Sequence, residues 1–377
     1  MFMSDHGKEI DFPRGTIDPE TRNFTDVRDG RGTTPWLKSL RSKRAFDALK
    51  SAALARTPHA ETSAVIERLP TFVKAAPLEL PEHCTGEDAL IATASNCLEQ
   101  LSANEDCALA GIDPEGVHQM RVALSRLDAA LALYAPLIPR AQLEKRQRLI
   151  KSVAQTLGPA RDWDVFISDM LDPVASNMPN DPDLKLLRTV ALRRRMAAYR
   201  ALRQTVRSQA YRDMWQDAVA WLTDREWRQQ PISEKSVQLM TDVRSFSESV
   251  LDKAHRKLLK RGKGFAVLDT RERHKLRIRI KKVRYAAEFF LPLYRVERGE
   301  TYLRALRAMQ DDLGRLNDVE SARVLIDGLE TGDVDQGRRI ARAGGLVVGW
   351  HRHAAALREE QLVRHWRKLK QAEPFWR

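Results

Sequence analysis

The chain has 377 residues, of which 43% are hydrophobic, and it carries 64 Lys/Arg against 51 Asp/Glu for a net charge of +13. That is enough apolar material for a sizeable core, and the basic excess favours an anionic partner over an acidic or cationic one. Three cysteines, Cys84, Cys97 and Cys107, without C-x-x-C spacing argue against a disulfide framework or a zinc site and fit a reducing compartment.

Residues 1–80 lack the periodicity of a domain. Pro, Gly, Thr and charges are scattered through Asp11–Pro35, which reads as irregular chain. A basic helical stretch is expected near Trp36–Ala55, and Ser63–Val73 has the composition of a short strand. Asp5, Lys8, Glu9 and Asp11 leave no apolar signal region, and no uncharged apolar run is long enough to span a bilayer. The expectation is a soluble cytoplasmic protein.

From Thr85 the pattern is helical. Thr85 with Asp88 resembles a capping box for a helix to about Leu109. A second helix is expected over Pro114–Tyr134, stopped by Pro136, and a third from Pro139 to Leu157, closed by Gly158-Pro159. A fourth starts near Asp162 and breaks at Met178–Pro182; a basic helix over Asp183–Arg207 and a segment Tyr211–Thr223 follow. Five further helices are expected over Ser233–Lys260, Thr270–Phe290, Thr301–Leu313, Asp318–Leu329 and Val334–Leu369.

This order repeats because the sequence repeats, at a constant offset of 156. His118, Arg121, Pro136 and Leu137 match His274, Arg277, Pro292 and Leu293. The stripe Met120, Leu124, Leu127, Leu131, Tyr134 falls on Leu276, Ile280, Val283, Ala287, Phe290. Glu144 meets Glu300, Leu157-Gly158 meets Leu313-Gly314, and Asp162 meets Asp318. A register held over so many positions is an internal duplication. The fold class expected is all-α: two pseudo-two-fold-related four-helix bundles, repeat one over about 85–230 and repeat two over about 231–377, with a basic central groove.

Charge concentrates in repeat two. Lys253–Arg284 holds fourteen Lys/Arg against Asp269 and Glu272, and Arg273–Arg284 has seven Lys/Arg and no acid. A solvated helix usually mixes signs. Arg277, Lys281 and Arg284 recur about once per turn, near 5–6 Å, so one helix can follow successive phosphates. His274 and His118 stand at the head of each track. Arg256, Lys257 and Lys260 read either as an extra basic wall or as plain surface, and Lys282 lies on the third side of the helix, which has the alternative reading of a solvated face. Repeat one is weaker: Ser125 stands where Lys281 does, Asp128 where Arg284 does, leaving His118, Arg121 and, to the side, Arg126. Arg121 and Arg277 have an alternative reading as core arginines paired to Asp162 and Asp318. No metal site is expected, since His351 and His353 project about 160° apart on a helix.

The duplicated H-x-x-R, with LGPARDWD at 157–164, LGRLNDVE at 313–320 and the closing AEPFW, resembles the CHAD family (conserved histidine α-helical domain) over about residues 85–377. The resemblance implies paired helical bundles whose basic cavity binds inorganic polyphosphate, and association with polyphosphate granules. Such proteins often carry an N-terminal CYTH barrel. Residues 1–80 are too few for one and show no E-x-E-x-K, so they read as a linker or a degenerate remnant, and triphosphatase activity is not carried over.

The expected function is therefore non-enzymatic polyphosphate binding without a cofactor, with other polyanions as further partners, no membrane, and a homo-oligomer left open. Nucleic-acid binding is the first alternative, although no helix-turn-helix, zinc or RNP-like motif is present. A phosphohydrolase using His118 or His274 is the second; it lacks a phosphate loop, a metal-binding carboxylate pair and H-E-x-x-H.

Overall fold

A computed structural model describes residues 69–81, 83–329 and 333–377. The expected helix at 36–55, and most of the expected strand at 63–73, lie outside them. Residues 69–81 run without helix or strand. They are strapped to the helical body by side-chain amides: buried Asn104 accepts from the Val73 N–H and donates to its carbonyl, and Asn96 donates to the Ala76 carbonyl.

The described remainder is all-α. Its helices are α1 (Gly86–Ala103), α2 (Glu105–Ala110), α3 (Glu115–Tyr134), α4 (Arg140–Val165), α5 (Asp172–Asn177), α6 (Pro182–Val206), α7 (Gln209–Asp224), α8 (Glu234–Gln238), α9 (Val243–Arg261), α10 (Thr270–Phe290), α11 (Val296–Asp327), α12 (Val334–Ala356) and α13 (Glu359–Gln371). A π-helical segment, Phe166–Leu171, joins α4 to α5. The Thr85/Asp88 capping box forms as its sequence predicts, and a second one, Asp269/Glu272, opens α10.

Two expected boundaries vanish. α4 continues through Gly158-Pro159 and α11 through Gly314, so each merges two expected helices. Leu157, Ala160 and Trp163 carry one buried face past the proline, whose ring is exposed, and packing outweighs one missing backbone hydrogen bond. Three expected helices are instead broken, at Asn104, at Leu239–Asp242 and at Leu357-Arg358. The first break follows from Asn104 turning its amide to Val73 and the Gln100 carbonyl.

α3 packs on α1, α4 and α10; α10 packs on α9 and α11; α6 packs on α4 and α12. The stripes expected to be core are core: Met120, Leu124, Leu276, Ile280 and Val283 are buried. The heads of α1 and α9 pair through their backbones, with Gly86 N–H on the Thr241 carbonyl and Val243 N–H on the Cys84 carbonyl. At the heads of α6 and α12, Asp183 accepts from both Arg339 and Arg342, and Asp181 accepts from Arg342. The three cysteines are free and buried. Among the described residues no helix is long and apolar enough to cross a membrane.

Candidate functional site

The site is built where α10 crosses α3. Asp269 and Glu272 are consumed by the α10 cap, and the acid-free run follows at once. Burial of Leu276, Ile280 and Val283 fixes the helix rotation and turns Lys281 toward α3. There its ammonium donates to Ser125 Oγ at 3.1 Å and lies 5.7 Å from the Tyr285 ring centre. Burial pushes Lys281 down to about 8, and Arg277, Arg121 and Arg284 push the same way. One hydroxyl is its hydrogen-bond partner among the described residues.

Arg277 and Arg121 reach this place over glycines. A side chain begun at Gly158 would come 2.9 Å from Arg121 Nη1, and one at Gly314 would stand 4.0 Å from Arg277 Nε. The repeated Leu-Gly thus makes room for the repeated arginine. Arg277 Nε is buried without a hydrogen-bond partner. Arg121 makes one long contact, 3.5 Å to the Ala154 carbonyl, and burial lowers its affinity for its proton, with Arg161 and Arg277 adding to that and Asp162 opposing it. Neither arginine is in ion-pair contact with Asp162 or Asp318 among the described residues, so the core-pair alternative does not describe them. Both carboxyls are instead raised, first by loss of water, with Arg121 and Arg277 pulling them back.

The two histidines differ. His118 is half-buried and held below its ordinary range by burial, then by Arg161; Lys281 and Arg121 act likewise, with Glu115 opposing. His274 is exposed, and its Nδ1 meets Asn317 Oδ1 at 2.8 Å. It lines a cavity of about 820 Å³ at the head of α10. Arg284 is engaged by protein: Nε donates to Gln310, Nη1 to Glu288 at 2.7 Å, and its guanidinium lies 4.7 Å from the Tyr285 ring centre.

Arg126 is not on this face. It is 7% exposed and donates to Gln100 and Asn96 at 2.7 and 2.8 Å over the Phe289 ring. α3 packs against α1 as well as α4 and α10, which a single apolar stripe does not disclose. Lys282 is exposed, as are Arg256, Lys257 and Lys260 on α9, and none of the four is among the charges that shift Lys281, His118 or Arg121. Spacing along the sequence does not single out Arg161, which acts on His118, Arg121, Asp162, Asp164 and Asp318. It stands in the LGPARDWD motif at the position equivalent to Asn317, and only the fold shows that it faces α3.

The sequence model of the CHAD domain matches residues 92–327. A crystal structure of the CHAD domain from the plant Ricinus communis is 30% identical and superposes with a TM-score of 0.67, over 81% of this chain and 98% of that one. The chain belongs to the CHAD family. PptA from Streptomyces chartreusis, at 17% identity, a TM-score of 0.52 and coverage of 74% of this chain and 99% of that one, shares the fold. No curated protein sequence gave a match. In this CHAD protein the H-x-x-R arginines are thus the pair that meets beside Lys281, each over a glycine of its Leu-Gly motif.

Proposed function

We propose that this CHAD domain binds inorganic polyphosphate, without turning it over, in a basic groove between α3 and α10. One observation carries the reading. Lys281, Arg121, Arg277 and Arg161 converge where α10 crosses α3, and no carboxylate is in ion-pair contact with any of them among the described residues. A half-buried cation with no carboxylate in ion-pair contact is costly, so such a cluster fits an anion supplied from outside. Arginine forks take two oxygens of one phosphate while Lys281 serves as a point charge beside them.

The contact of Ser125 with Lys281, its counterpart at the offset of 156, supports a pseudo-two-fold arrangement of the repeats. Under a two-fold rotation, equivalent residues touch only near the axis, so in this reading the groove runs along that axis. Polyphosphate is a single thread with about one negative charge per phosphate, and binding it displaces counter-ions as on a nucleic-acid backbone. In this reading polyphosphate granules in the cytoplasm are where the protein would work.

Calorimetric titration with polyphosphate of defined length tests the site. Arg277→Ala with Lys281→Ala should weaken binding at least about 100-fold while helicity by circular dichroism is unchanged. Unchanged affinity would reject the groove. Phosphate released from polyphosphate by the wild type, and lost in His118→Ala or His274→Ala, would reject the non-enzymatic reading.

A further inference from the structure

α6 carries a second cationic surface that the groove does not use. From Leu184 to Arg207 the sequence has eight Lys/Arg and no acid. Arg194 is exposed on the third side of the helix, and the structure divides the other seven into two sets. The inward set is satisfied by protein: Arg195 donates to Asp164 and to the Gly111 carbonyl, Arg203 to the carbonyls of Leu109 and Ala110, and Arg188, at the flank, to Asp172. The outward set is Lys185, Arg193, Arg200 and Arg207. At 100° per residue these four fall within about 80° of arc. All are exposed, and their side chains have no hydrogen bond or ion pair among the described residues.

The ridge is regular and flat. Its cations are spaced 8, 7 and 7 residues apart, or about 10–12 Å at 1.5 Å per residue. Thr189, Met196, Ala197 and Gln204 lie between them, all exposed and none acidic. A face needed only for solubility would mix signs; here none of the carboxylates that accept from α6 lies on the ridge. The ridge is also one helix from the groove. α6 packs on α4, and Arg195 holds Asp164, which also feels Arg161, one of the groove cations.

We infer that the outer face of α6 is a second docking surface for the same phosphate polymer, engaged by chain that leaves the groove past Arg161. This rests on the groove reading. A short chain fills the groove alone, whereas a long one occupies both places, and the second contact is then intramolecular and adds avidity. Inorganic polyphosphate is favoured over duplex nucleic acid because a bare thread can run on from the groove onto an adjoining ridge, which a duplex cannot do.

The test compares the wild type, the triple variant Arg193→Gln/Arg200→Gln/Arg207→Gln and the groove variant Arg277→Ala/Lys281→Ala. The probes are polyphosphates of about 10 and about 300 units and a duplex DNA, titrated at several salt concentrations. The triple variant should bind the long chain at least about 10-fold more weakly, with its salt slope reduced by about 2, and bind the short chain as the wild type does. The groove variant should lose both. Equal long-chain affinity in the triple variant and the wild type overturns the ridge. So does a parallel loss of the short chain, or a loss confined to duplex DNA. A wild type that binds neither polyphosphate overturns the groove reading instead.

Discussion

The crossing helices α3 and α10 share one sequence pattern and differ in charge. Ser125, Arg126 and Asp128 of α3 stand where α10 has Lys281, Lys282 and Arg284. The Ser125 hydroxyl receives Lys281, and Arg126 is turned inward onto Gln100 and Asn96. Lys282, in the corresponding position, is left to solvent. One copy therefore supplies a polar floor and a pair of guarding residues, His118 and Arg121, while the other supplies the charged arm. A lysine at position 125 as well would set two ammonium groups against each other, so charge on one helix is compatible with close packing of the two.

The largest stability effect expected is at Arg126. Arg126→Ala leaves the Gln100 and Asn96 carbonyl oxygens without their donor in the interior and should cost about 3 kcal/mol in urea denaturation, against less than about 0.5 kcal/mol for Lys282→Ala. Equal effects would show that the two copies present these positions alike.

Lys281→Met should separate stability from binding. Removing a half-buried, depressed ammonium should raise the melting temperature at pH 7 by a few degrees, worth about 1–3 kcal/mol, and weaken polyphosphate binding. The sign with pH follows from its folded value of about 8 against an ordinary 10.5. Between these values the unfolded chain holds more protons, so the Lys281 contribution to stability rises with pH across that window, and the variant should lose that rise. Binding runs the other way. Polyphosphate affinity should fall above pH 8 as Lys281 deprotonates, and rise on acidification through the depressed His118 range.

The smallest contrast is between the two glycines. Gly158→Ala places a methyl group 2.9 Å from Arg121 Nη1 and should weaken polyphosphate binding several-fold, whereas Gly314→Ala, with 4.0 Å to Arg277 Nε, should change it less than about two-fold. Equal losses in the two titrations would mean that both arginines are held with the same tightness.

The buried stripes of α3 and α10 and the meeting of Arg121 with Arg277 were legible in the sequence because the pattern repeats at a fixed offset. Helix boundaries at Pro159 and Gly314 were not, because a continuous buried face overrode local breakers. Arg126 was misplaced for a related reason: α3 is covered by α1 as well as by α4 and α10, and an arginine toward α1 looks in one dimension like one toward solvent. Arg161 was hidden by distance along the chain, since α4 meets α3 only in the fold. Whether a cation is spent on a carbonyl, as Arg203 is, or left free, as Arg200 is, depends on neighbours about 90 positions away.

The junction of Asp181 and Asp183 with Arg339 and Arg342 bears on how such experiments are run. It is a guanidinium staple at the surface, open to competition from dissolved salt and, above all, from guanidinium ion. Urea and guanidinium chloride should therefore report different midpoints beyond their usual two-fold ratio of strength, while Leu184, Leu187 and Ala191 of α6 stay packed with Ile340, Ala343 and Val347 of α12 until the core gives way. Unfolding measured in urea at fixed ionic strength leaves that fastening intact until the helices themselves melt.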